Sequence, residues 1–381
     1  MPVRADVTPG LLVWARERSG IEVDELVRRF PKLGEWERGE LTPTLKQLER
    51  FAQATHTPVG FLFLGEPPEE QVPIPDFRTI ADAGVARPSP DLLDTIFQCQ
   101  QRQEWYRDFA QVTREDPVAF IASLTTATPV AEAAATMREA LGFAAEERGP
   151  TWTDALRLLV ERAEELGVLV MVNGVVGSNT HRKLDPREFR GFALVDPLAP
   201  LVFVNGADSK AAQIFTVAHE LAHLWLGQSA LSDADLVSTP RVAAERWCNR
   251  VAAEFLVPLA AIEEEFKSDR PVTDELERLA RRFKVSTLVV LRRVYDAGGL
   301  GWDAYRAAYR AELARILELL GERGGGGNFF NTQPARVSKR FARAVIISTL
   351  EGQTLHRDAF QMLGFKKLST FQELASRLGV G

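Results

Sequence analysis

The chain has 381 residues, 45% of them hydrophobic and 26% charged, with a net charge of −6. That length and apolar content exceed one ordinary core and exclude a disordered or fibrous chain, so two or three domains are expected. Two cysteines, Cys99 and Cys248, exclude a disulfide framework and a thiolate zinc knuckle; with no long uncharged apolar stretch and no basic leader, the expectation is a cytoplasmic protein with no membrane partner.

Residues 9 to 64 read as a run of short helices: Leu11 to Arg18, Val23 to Phe30, a segment through Trp36, and Leu45 to Ala54. Turns fall at Gly20, Pro31, Gly39 and Pro43. A Pro-rich connector follows (Pro67, Pro68, Pro73, Pro75), then helical patterns from Leu92 to about Phe109 and from Ala131 to Leu141, a bridge without visible chemistry. Residues 152 to 167 form an amphipathic helix, after which the period changes. Val168 to Val172, Gly191 to Val195 and Leu201 to Val204 read as strands of a small sheet. Helices return at Ser209 to Leu226, Arg241 to Leu256, Thr273 to Phe283, Ser286 to Tyr295 and Trp302 to Leu320. The glycine run Gly324 to Gly327 then opens a tail, residues 324–381, with eight Lys/Arg against three Asp/Glu, leaving about −11 on the first 323 residues.

The expected class is α+β. It comprises an all-α head (1–66), a connector and helical bridge (67–150), a body with a small sheet (151–323) and a small helical, basic tail (324–381).

The chemistry concentrates in His219-Glu220-Leu221-Ala222-His223. Residues four apart share a helix face, so two imidazoles can meet one ion while Glu220 sits beside a metal-bound water. The flanking residues, Ile214 to Ala218 and Leu224 to Leu226, are apolar, and an idle pair of histidines there is costly. A satisfied core pair is the bland alternative. A catalytic zinc takes three protein ligands and a water, so a carboxylate from a neighbouring helix is needed. Glu245 is the choice, with Asn249 one turn on as a hydrogen-bonding support for the ligands. Glu254, nine residues beyond Glu245, faces the opposite side of that helix. Glu220 is then the general base of peptide-bond hydrolysis with Zn2+ as cofactor. His181, between two strands, is either an oxyanion donor or simply exposed.

The segment from about Leu156 to Pro258 resembles the ImmA/IrrE metallopeptidases, through Arg190-Gly191-Phe192-Ala193-Leu194, Val202-Phe203-Val204-Asn205, Phe215 to His223, and Glu245 through Phe255-Leu256-Val257-Pro258. The resemblance implies a gluzincin-like zinc site with His219, His223 and Glu245 as ligands and Glu220 as base, and cleavage of a repressor protein in phage, mobile-element or stress responses. The head resembles Xre-type helix-turn-helix domains at Glu37-Arg38-Gly39, Pro43 and Leu45 to Ala54, but is shorter than that pattern between Leu26 and Glu37. A short third helix reaches poorly into a major groove, and residues 1 to 64 balance nine Lys/Arg with nine Asp/Glu. Binding of operator DNA, and use as a docking or homodimer module, both stay open.

In the tail, Arg336, Lys339, Arg340 and Arg343 form a cationic stripe beside an apolar one of Val337, Phe341 and Val345; Thr370 and Glu373 read as a capping box for a last helix. The tail from Asn328 through Arg343 resembles those of fused Xre and ImmA/IrrE antitoxins, whose companions are PIN-type nuclease toxins, and the stripe suits an acidic cleft; a solvated helical subdomain is the plainer reading. Two functions are therefore expected: the antitoxin and transcriptional regulator of a toxin–antitoxin pair, or a stand-alone zinc endopeptidase cleaving a repressor.

Overall fold

A computed structural model describes residues 4–77, 87–232, 242–320 and 336–380. The glycine run Gly324 to Gly327 and the segment Asn328 to Thr332 lie outside the described residues. The protein is helix-rich with one small mixed sheet, an α+β arrangement, and divides into two compact units, Met1–Pro73 with Ala83–Ile96, and Ile74–Asp82 with Phe97–Gly381. Among the described residues no helix is long and apolar enough to cross a membrane.

In the first unit, α1 (Pro9–Ser19), α2 (Val23–Arg29), α3 (Leu33–Glu37) and α4 (Leu45–Ala54) pack around Phe30, Trp36 and Phe51, whose rings meet edge to face or tilted at 5.6–6.5 Å. The third helix is indeed short, five residues. Thr44 and Gln47 cap α4 reciprocally, a device that satisfies two otherwise orphaned amides. The proline connector is not a free linker. Arg18, laid over the Trp14 ring, grips both carboxylate oxygens of Glu70, so the first unit extends to Pro73 rather than ending at 66.

The second unit is built on α5 (Pro90–Thr113) from Phe97 onward, α6 (Val130–Leu141), α7 (Trp152–Glu165), β1 (Leu169–Asn173), β2 (Gly191–Leu194), β3 (Leu201–Asn205), α8 (Lys210–Leu226), β4 (Ala230–Ser232), α9 (Ala243–Leu256), α10 (Leu259–Glu265), α11 (Val272–Phe283), α12 (Thr287–Asp296), α13 (Trp302–Leu320), α14 (Lys339–Leu350), α15 (His356–Leu363) and α16 (Leu368–Arg377). The sheet runs β1-β3-β2-β4, with β1 parallel to β3 and the other pairings antiparallel. Every residue of β2 and β3 is buried, as continuous apolar runs require when both faces are covered.

The segment expected to be an inert bridge is part of this core. Gln103 on α5 donates to the carbonyls of Leu194 and Ala199, and α6 lies against α9, with the Trp247 indole donating to Thr128 O at 2.9 Å. Arg148, 1% exposed, makes no ion pair among the described residues. Its guanidinium stacks on Phe143 and donates to the carbonyls of Leu256 and Phe283, the last residues of α9 and α11, and to that of Phe143, just beyond the left-handed cap of α6. Two helix ends, each carrying partial negative charge, and one loop carbonyl stand in for a carboxylate.

The tail departs from its expected independence. Phe341 on α14 is buried and meets Trp105 of α5 edge-on, and Ser338 caps α14 while its hydroxyl donates to the buried Glu164 on α7. The last helix starts at Leu368 with no side-chain cap, one turn earlier than the Thr370 and Glu373 box would place it; Glu373 pairs with Arg377 instead.

Candidate metal centre

The helix carrying the pentad is α8, capped by Ser209, whose hydroxyl accepts from Ala212 N. From Gln213 to Leu226 it is buried on all sides, so it is a core helix that brings its polar residues inside. Its C-terminal carbonyls are taken up by the loop after α5: Ala122 and Leu124 donate to Leu224 O and Trp225 O, and the Phe120 ring stacks on Trp225 at 3.9 Å. The approach is so close that a β-carbon on Gly227, at φ +69°, would meet Ala122 at 2.4 Å.

Within this frame three donor atoms converge. His223 Nε2 stands 2.8 Å from Glu245 Oε1, His219 Nε2 stands 3.2 Å from Glu245 Oε2, and the two Nε2 atoms are 3.1 Å apart. Glu245 comes from the first turn of α9, packed against α8. A tetrahedral zinc with bonds near 2.0–2.1 Å has ligand atoms about 3.3 Å apart, close to these separations. Two imidazole nitrogens facing each other and one carboxylate form a donor set that suits a divalent cation. The residues present therefore fit zinc.

The electrostatics agree. Burial pushes the Glu245 carboxyl up, but the two histidines outweigh it and hold the group below the ordinary carboxylate range. Burial lowers His223 more than its contact with Glu245 raises it, which favours the neutral, ligating imidazole. Glu220, with 0% exposure, is pushed well above its ordinary value by burial and then by the charge of Glu245. Neither Glu220 oxygen makes a hydrogen bond of normal geometry among the described residues, although the Ser232 hydroxyl is near enough to offset part of that shift.

Asn249 is buried one turn along α9 from Glu245. Glu254, on the far face, pairs with Arg293 and accepts from Leu259 N, as its helical phase requires. His181 is exposed in the loop between β1 and β2 and is not among the three residues drawn together. Sequence reasoning missed Ser232, whose hydroxyl lies 3.4 Å from Glu245 Oε1 and 3.5 Å from His223 Nε2. It also missed Phe77, whose ring stacks on His223 with centroids 6.4 Å apart, and the role of Gly191, which leaves room for Glu220.

Three of the four cations of the tail's stripe are engaged within the protein, two of them by its own acids. Lys339 pairs with Glu161, Arg340 pairs with Glu115 while lying over the Tyr106 ring, and Arg343 donates to Leu378 O. An i, i+3, i+4, i+7 spacing identifies a stripe but not what it faces.

Comparison with known families places two segments. Residues 163–295 match the model of the M78 peptidases, described as an IrrE N-terminal-like domain. Residues 337–377, close to the span of α14 to α16, match a model described as a domain of unknown function, DUF8813. No curated protein matches the chain. The first match covers the sheet, both histidines and Glu245, and it supports an ImmA/IrrE-type metallopeptidase domain over residues 163–295.

Proposed function

We propose that this protein is a zinc endopeptidase that acts on a regulatory protein, with His219, His223 and Glu245 as ligands and Glu220 as general base. The observation that carries the reading is the convergence of two imidazole nitrogens and one carboxylate within 4.8 Å of one another in a buried site. Zinc held there supplies a water of lowered pKa and polarises a peptide carbonyl. Glu220 accepts a proton from the attacking water and returns it to the leaving amine. Asn249 supports the ligand side of α9, and Ser232 steadies Glu245 and His223 from β4. The burial of all four polar groups excludes bulk water, which strengthens every charge interaction among them.

A second reading, an antitoxin that neutralises a nuclease toxin and regulates transcription, uses the tail and the head. It asks Lys339, Arg340 and Arg343 to leave partners they already hold, which is why the enzyme comes first. Metal analysis of the wild type beside His219→Ala, with cleavage measured for Glu220→Gln, tests the proposal. About one zinc per chain, lost in His219→Ala, with cleavage abolished but zinc retained in Glu220→Gln, is the expected result. A wild type without stoichiometric divalent metal overturns it.

A further inference from the structure

Strand β4 is the last in the sheet order, paired on one side with β2. An edge strand offers a row of amides and carbonyls to any extended chain beside it, and this is how many proteins take up a peptide. Here the outer edge of β4 is already paired, by the protein's own connector. Leu231 N donates to Pro75 O at 2.9 Å, Phe77 N donates to Leu231 O at 3.0 Å, and Asp76 lies opposite Leu231 in a parallel bridge. The next residue along β4 is Ser232, which reaches Glu245 and His223. The pairing delivers the Phe77 ring onto the face of His223, while Ile74, 9% exposed, anchors the segment's other end.

Two features follow from this arrangement. The centre is shut: His219, Glu220 and His223 have no exposed surface and Glu245 has 2%, so no peptide carbonyl reaches them without a rearrangement. Among the described residues two backbone hydrogen bonds worth about 1 kcal/mol each and one ring contact join the cover to β4 and His223. By contrast α8 and α9 are buried along nearly their whole length and cannot move without opening the core.

We infer that residues 74–77 are an internal strap that occupies the peptide-binding edge of β4 and closes the metal centre, yielding to an extended peptide that pairs with Leu231 in their place. The inference rests on the metallopeptidase reading and adds its regulation and substrate class. The displacing peptide is extended, has a residue other than proline where Phe77 now donates, and carries an aromatic or large apolar side chain there. Its own backbone groups replace those of Pro75 and Phe77, so exchange of strap for substrate loses no hydrogen bond at the edge.

The test measures access to the metal rather than catalysis. Zinc-loaded wild type, Phe77→Ala and Phe77→Pro are mixed with excess chromogenic chelator, and the rate of zinc transfer is followed. Hydrogen exchange of the Leu231 amide is measured in the same proteins without metal. Phe77→Ala removes the ring and keeps both backbone bonds, whereas Phe77→Pro removes the donor to Leu231 O as well. The expected result is zinc transfer about tenfold faster in Phe77→Ala and faster again in Phe77→Pro, as loss of contacts of hydrogen-bond strength gives. Leu231 exchange should rise in Phe77→Pro. Equal transfer rates in wild type and Phe77→Ala overturn the strap while leaving the zinc site standing. A wild type that takes up no zinc overturns the metal-centre reading, and the strap's function with it. Should Phe77→Pro misfold, Phe77→Ala alone decides.

Discussion

Gly191 on β2 leaves the space that the Glu220 carboxylate occupies: a β-carbon built on it would stand 3.1 Å from Glu220 Oε1, 2.5 Å from Thr216 Cγ2 and 2.8 Å from Phe203 O. A methyl group there cannot be absorbed by rotating a flexible side chain, because one obstacle is backbone and the others belong to a fully buried helix. Gly191→Ala is expected to destabilise the protein by about 1–3 kcal/mol, the usual range for overpacking a close-packed interior, and to lower peptide cleavage more than zinc content. Urea unfolding, zinc analysis and cleavage rates on one preparation check this. Normal cleavage with normal stability would show that the contact between sheet and base does not matter.

The Glu164–Ser338 pair predicts a pH dependence. Burial pushes Glu164 up to about 6, only partly offset by the Ser338 hydroxyl and by the backbone amides at the start of α14. A carboxyl whose folded pKa is raised binds more protons folded than unfolded between its ordinary value of 4.5 and about 6. Its contribution is thus fully present below the lower limit and is lost as pH rises through about 6, amounting to about 2 kcal/mol. Unfolding free energies of wild type and Glu164→Gln at pH 4.5 and pH 7 should differ in that direction, with the variant flatter. Parallel pH profiles would refute it.

Arg148 is expected to be the costliest single arginine to remove. Truncation to Ala strands the carbonyls of Leu256, Phe283 and Phe143, each buried acceptor costing about 1–3 kcal/mol, so a loss of at least about 3 kcal/mol is expected. Lysine should not fully rescue it, because a point ammonium lacks the planar face that stacks on Phe143 and the second nitrogen that reaches Phe143 O. Denaturant unfolding of Arg148→Ala and Arg148→Lys provides the measurement, and a drop below about 1 kcal/mol in either would contradict this account.

Arg340 tests what the tail's cations do. A double-mutant cycle of Arg340→Ala with Glu115→Ala should return a coupling of about 1 kcal/mol, the upper end for a pair that is partly exposed. Zero coupling would free the stripe for an external partner and revive the antitoxin reading.

The grouping of His219, His223 and Glu245 was legible in the sequence because its signals are local. The four-residue spacing of His219 and His223 on an apolar helix, and the helical phase separating Glu245 from Glu254, need no tertiary knowledge. The three main strands were found within a residue or two at their ends, since β-branched and aromatic runs bounded by Gly, Asn and Pro carry their own signature. What escaped reading is non-local. Three-residue β4 has no periodicity to detect, and its partner segment at Pro75 lies in a proline-rich stretch that sequence alone marks as linker. The tail's spacing marked Val337, Phe341 and Val345 as one apolar stripe, and all three are buried, yet the acids that receive Lys339 and Arg340 sit about half a chain away, at Glu161 and Glu115.

The guanidinium of Arg148 also bears on how this body comes apart. The carbonyls it gathers belong to stretches far separated along the chain, and neither the ends of α9 and α11 nor the loop after α6 can open toward water without releasing the same side chain. Local opening of one is thereby coupled to the other two, so the region should lose amide protection in a single cooperative step rather than helix by helix.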